Sequence, residues 1–149
     1  MTDRTTIVGI DCAVDEKNIG VAVGKWSPGR LVLTSLPSQR EMRPVVDFVC
    51  RVLSRSKRTL LALDAPLGWP EDLGKSLVNH RAGSPIAPAA DLLFRRETDR
   101  FVRKRLCKQT LDVGADRIAR TAHAALNLLE TIRKRSGQEI PLAWNPSFK

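Results

Sequence analysis

Two aspartates stand where an apolar strand gives out. Asp11 follows IVGI and Asp64 follows LLAL, and a carboxylate in that position contributes nothing to packing. The carboxyl ends of strands are where α/β sheets meet their ligands, so the pair predicts a functional centre. If the two strands are neighbours, the carboxylates approach and repel unless a proton or a cation lies between them. Hard oxygen ligands of this kind suit Mg²⁺ or Mn²⁺. The competing explanation is local: each aspartate caps a turn or a helix, as Asp64 ahead of APLG would.

Periodicity shows which elements must bring the pair together. Residues 5–12 (TTIVGIDC) are apolar and β-branched. After the polar turn AVDEKN come IGVAVGKW and, beyond SPGR, RLVLTSL, which together predict three consecutive antiparallel strands. Within 42–53, Val45, Val46, Val49, Val52 and Leu53 recur at helical spacing, with Pro44 tolerated in the first turn. The continuous apolar run that ends at Asp64 predicts a buried strand parallel to the first. Four prolines and three glycines between 66 and 88 predict mostly loop, of the kind that carries binding groups on a rigid scaffold. A helix over 113–135 aligns Ile118, Ala122, Ala125, Leu129 and Ile132 in one stripe, with Gly137 as its cap. IPLAW (140–144) is then expected to return as a fifth strand. The expected fold class is α/β: a mixed sheet in the order βββαβ, a long helix and a fifth strand, as one domain over 1–149.

Composition narrows the setting. The chain has 149 residues, 42% of them hydrophobic and 28% charged, enough to bury a core without disulfides or a structural metal. No apolar run approaches membrane-spanning length, and the N-terminus lacks the basic and cleavage regions of a secretion signal, so a cytoplasmic address is expected. Cys12, Cys50 and Cys107 form no CxxC pair and are expected to be reduced structural thiols. Cys12 adjoins Asp11, but strand alternation turns the two side chains to opposite faces. The net charge of +9 and pI near 10.2 predict attraction to polyanions, nucleic acid first among them. Seven basic residues fall between Arg95 and Lys108, and on a helix Arg96, Arg100, Arg103 and Lys104 would share a face. That face is either a simple solvated surface or a phosphate-tracking one.

The strings GIDCAVDEKNIGVAVG, LALDAPLGWP and FRRETDRFVRK resemble the family called domain of unknown function 429, regarded as predicted nucleases with a ribonuclease-H-like fold. DAPLG after a strand is the most specific of these motifs, and the resemblance runs from Ile7 into the long helix. It implies a metal-dependent phosphodiester hydrolase in which Asp11 bridges or ligates two divalent ions and Asp64 holds one of them. It also implies a third carboxylate, for which Asp116, Asp99 and Glu97 are the candidates. Asp116 is equally explained by the dipole of the helix it opens, and Asp99 and Glu97 by pairing with Arg95, Arg96 or Arg103. Members of the family continue through further strands and helices, which implies a chain shortened at its C-terminus.

Lesser candidates remain. His123 shares a stripe of the long helix with Asp116, Arg120 and Asn127, and is either a proton carrier near a metal or a surface residue. Trp69 is either a stacking surface for a base or a loop anchor. Two other function classes fit parts of the pattern. An actin-like or sugar-kinase-type nucleotide-binding domain shares the βββαβ order, but wants a glycine- and hydroxyl-rich first hairpin, where this chain has AVDEKN. A non-catalytic nucleic-acid-binding module would use the basic face alone.

Overall fold

A computed structural model describes residues 4–114 and 116–143. The chain divides into two compact units, residues 1–64 with 126–149, and residues 65–125.

The first unit is built on β1 (Thr5–Asp11), β2 (Gly20–Ser27), β3 (Arg30–Ser35) and β4 (Thr59–Leu63), in the order β3-β2-β1-β4. The pairs β1–β2 and β2–β3 are antiparallel and β1–β4 is parallel, as the apolar runs predict. A parallel return needs a crossover, which α1 (Val45–Arg55) supplies. Strand alternation turns Val8, Ile10 and Val21 to one face. There they meet Val45, Val49 and Leu53 of α1 and Ile132 near the end of α5 (Asp116–Ser136) in a single core. Helix α1 starts at Val45 rather than Met42. Pro44 offers no capping side chain, and the Val45 N–H instead donates to Glu16 Oε1 at 2.7 Å, from the 3₁₀ turn Glu16–Asn18. Arg135 pairs with Asp47 at 2.9 Å and so links α5 to α1.

Gly137 ends α5 with φ +66°, its N–H donating to the Arg133 carbonyl, as expected of a helix cap. The fifth strand is a correction. Residues 140–143 form no strand, and Trp144 lies outside the described residues. The reason is local: the Arg133 guanidinium donates to the Ile140 carbonyl from Nε at 3.2 Å and from Nη2 at 2.5 Å. Pro141 has no N–H to offer a ladder. Ile140 is instead packed against the core.

One polar atom of this unit is misplaced. The Oγ1 of Thr59, at the start of β4, is buried and has no hydrogen-bond partner among the described residues. A buried unsatisfied hydroxyl costs about 1–3 kcal/mol, and valine keeps the shape and the strand preference. Thr59→Val is therefore expected to stabilise the protein by about 1 kcal/mol, read as a higher urea midpoint at unchanged slope. A lower midpoint would contradict it.

In the second unit the proline-rich segment contains more structure than its composition suggests. Glu71–Leu77 forms α2, with Pro70 ahead of it and Glu71 and Asp72 in its first turn, where the helix dipole favours acids. Ala90–Phe94 forms α3 and Glu97–Leu106 forms α4. Leu93 and Val113 are buried, and the Val113 N–H donates to the Phe94 carbonyl at 3.1 Å. Arg95 holds Asp91 at 2.9 Å and Asp112 at 3.2 Å.

Candidate functional site

The β1–β4 register decides where the two aspartates stand. The strands pair from Thr6 with Thr59 through to Ile10 with Leu63, and the Asp64 N–H then donates to the Ile10 carbonyl at 2.9 Å. Asp11 and Asp64 are the next residues along that register, on strands about 4.8 Å apart. Alternation gives them a common face. Ile10 and Leu63 turn to the core, so Asp11 and Asp64 turn away from it. Both line an open hollow of about 610 Å³ floored by Gly9, Gly20, Ala22 and Ala62. A Cβ at Gly20 would lie 3.5 Å from the Asp11 Cβ, so glycine there keeps the space beside the carboxylate clear.

Electrostatically the pair is uncompensated. Both side chains are exposed, and neither accepts a hydrogen bond or joins an ion pair with any described residue. The adjacent thiol responds to both. Burial first, and then the negative charges of Asp64 and Asp11, push Cys12 up to about 11. Cys12 itself packs toward the core, with Sγ 3.7 Å from the Ile10 carbonyl, so its side chain departs from the face that Asp11 uses.

Two neighbouring carboxylates fit a hard divalent ion. Mg²⁺ is often held by only one or two carboxylates, with water and substrate phosphate completing the shell. Among the described residues, no three His, Cys, Asp or Glu side chains gather as a metal site. The candidates for a third carboxylate are otherwise engaged. Asp116 is exposed in the first turn of α5 and pairs with Arg120 at 2.7 Å. Glu97 pairs with Arg100 at 3.1 Å.

Asp99 is a structural residue. It is 3% exposed and accepts from Arg96 Nε and Nη2, each at 2.8 Å, and from the Arg96 backbone N–H at 2.9 Å, closing the start of α4. Burial alone would raise its carboxyl. The hydrogen bonds and charge of Arg96, with Thr110, outweigh burial and hold it below the usual range. A depressed folded pKa gives stability that is present above the unfolded value and is lost as pH falls through the folded one. Asp99→Asn is thus expected to cost about 2 kcal/mol at pH 7, the worth of hydrogen bonds to a charged group. The gap to wild type should shrink as the pH drops below about 4. Urea denaturation at pH 7 and pH 3 checks this, and an equal gap at both would contradict it.

The expected nucleic-acid face is divided by these pairs. Arg96 is the N-cap of α4 and is bound to Asp99, and Arg100 is bound to Glu97. Arg103, Lys104 and Arg105 in the last turn form no ion pair among the described residues. His123 lies exposed on α5 and Trp69 is exposed after β4.

The sequence reading missed the floor of the hollow. Its signal was available in GVAVG, where valines alternate with residues that have almost no side chain: one face of β2 is built to pack and the other to stay open.

No helix among the described residues is long and apolar enough to cross a membrane. No curated protein and no solved structure is significantly similar to the chain. A family model does match, over residues 9–145, nearly the whole chain and both aspartates. The chain therefore belongs to the family described as protein of unknown function (DUF429).

Proposed function

We propose that the chain is a metal-dependent nuclease on a ribonuclease-H-like fold, with Asp11 and Asp64 holding Mg²⁺ or Mn²⁺ against a phosphodiester. The observation that carries this reading is the register pair itself: two carboxylates side by side at the carboxyl ends of β1 and β4, with no cationic partner among the described residues. Such a pair favours the cation that neutralises it. The strand order β3-β2-β1-β4, with only β1–β4 parallel, agrees with the core that the family resemblance implies.

When bound, the ion supplies positive charge to the phosphoryl oxygens and acidifies a water molecule. The chain's own residues supply position and access. Asp11 and Asp64 hold the metal. Gly9, Gly20, Ala22 and Ala62 leave the surface beside them open to a long substrate. Arg103, Lys104 and Arg105 add attraction for phosphates. Asp116, the expected third carboxylate, belongs to the other unit and pairs with Arg120, so the reading rests on Asp11 and Asp64 alone. Three free cysteines suit the reducing cytoplasm. A kinase-like use of the first hairpin is disfavoured because its turn carries Asp15 and Glu16, and Glu16 is occupied in capping α1.

Cleavage of end-labelled single-stranded DNA, double-stranded DNA and RNA, with Mn²⁺ and with EDTA, tests the reading. Cutting that needs Mn²⁺ is expected on at least one substrate. Full-length products throughout, with binding retained, would replace the nuclease by a non-catalytic binding module.

A further inference from the structure

Strand β3 is an outer strand of the sheet, and every residue of it from Arg30 to Ser35 is exposed. In the other outer strand, β4, Thr59, Leu61 and Leu63 are half-buried. The tight turn at Pro28 and Gly29, with Gly29 at φ +77°, makes Ser27 and Arg30 a hydrogen-bonded pair. Pairing alternates from there. Arg30 and Val32 direct their backbone groups to β2, while Leu31 and Leu33 direct N–H and C=O outward. No described residue meets those outward groups.

Proteins usually guard such an edge with a lysine, a proline, an inward charge or a bulge. From Leu31 to Leu36 the chain reads LVLTSL, with neither charge nor proline. A bulge is present, but only at the far end: Val23 pairs with Ser35 and Gly24 with Leu33, which leaves Thr34 as the extra residue. The run 31–33 is regular and unguarded. Its leucines are 62% and 56% exposed, on the face of the sheet that carries Trp26.

We propose that β3 pairs antiparallel with β3 of a second copy of this chain, about a two-fold axis at Val32, joining two four-stranded sheets into one. A second copy fits because Leu31-Val32-Leu33 reads alike in both directions. Pairing about Val32 sets Leu31 against Leu33 of the second copy, and Leu33 against its Leu31. Outward groups then meet outward groups, in about four backbone hydrogen bonds. The same register sets Arg30 against Thr34, so no like charges face each other. Leu31 comes to lie between Trp26 and a leucine of the second copy. Each copy uses its β3 edge once, so the assembly closes as a dimer. The axis is perpendicular to the sheet, which leaves both hollows beside Asp11 and Asp64 open on one face. The proposal does not depend on the chemistry at those aspartates. An edge of six residues, about 20 Å long, buries well under the roughly 800 Å² per partner of a standard interface, so a weak dimer is expected.

Sedimentation equilibrium of the full chain from about 1 to 500 µM, the range for so small an interface, tests it. The mass is expected to rise from 16.6 kDa to twice that value and no further. Amide hydrogen exchange read by NMR should slow at Leu31 and Leu33 as concentration rises, and stay constant at Val32, which is bonded to β2 throughout. Val32→Lys sets two ammonium groups against each other at the axis and should weaken the dimer at least about tenfold. Leu31→Lys should do the same, and covers a Val32 variant that does not fold. Raising NaCl to about 0.5 M should preserve the dimer, since salt screens the +9 on each copy. A mass fixed at 16.6 kDa would leave the edge to a different partner and overturn the proposal. So would growth beyond two copies, unchanged Leu31 and Leu33 amides, a dimer indifferent to both lysines, or one that salt dissolves, which would mark a bridging polyanion.

Discussion

Asp11→Asn and Asp64→Asn are each expected to lower Mn²⁺-dependent phosphodiester cleavage by roughly a thousandfold, about 4 kcal/mol of transition-state stabilisation. The substitution keeps the shape and removes the charge, so it takes away a metal ligand and little else. Both side chains are exposed and make no hydrogen bond or ion pair with described residues, so the fold has no contact to lose. The sign of the stability change separates a functional from a structural role. Removing one of two adjacent carboxylates relieves repulsion, so the metal-free variants should melt no lower than wild type. Mn²⁺ should raise the wild-type midpoint by binding the native state, and should raise that of the variants far less. A variant that melts well below wild type without metal would mark the aspartate as structural.

Ile132→Ala is expected to cost about 3–4 kcal/mol, a large share of a small protein's stability. Ile132 is 0% exposed and belongs to the cluster of Val8, Ile10, Val45 and Val49, where α5 meets both the sheet and α1. Truncation removes three carbons and leaves a cavity that neighbours on two helices and two strands cannot all close. Ile132→Val removes one carbon and should cost about 1 kcal/mol. Urea denaturation gives both values. The same contacts reach the site, because Ile10 precedes Asp11 and its burial on the core face is what turns Asp11 to the other. A cost under about 1 kcal/mol for Ile132→Ala would mean that α5 does not seat here.

The sheet was readable because its strands alternate or run apolar in ways only a sheet explains. IVGI before Asp11 and LLAL before Asp64 placed β1 and β4, and the helical period of Val45, Val49 and Leu53 placed the crossover that makes them parallel. Once they are parallel, the shared end of the two strands follows. What failed depended on particular side-chain contacts that composition does not show. IPLAW has strand composition, yet Arg133 takes the Ile140 carbonyl and Pro141 has no N–H. Helix α2 was hidden by the prolines around it, although Pro70 with Glu71 and Asp72 is a helix start. The charge run 95–108 showed how many cations were present but not which were engaged. Asp99 reaching back three residues to Arg96 is a capping geometry, and the burial of its carboxylate follows from the packing around α4 rather than from that spacing.

Metal binding by Asp11 and Asp64 is measured by calorimetric titration of Mn²⁺ into the wild type and into the Asp11→Asn, Asp64→Asn double variant. A saturable site is expected in the wild type, its heat disappearing in the double variant while circular dichroism is unchanged. Superimposable isotherms from the two proteins would contradict it.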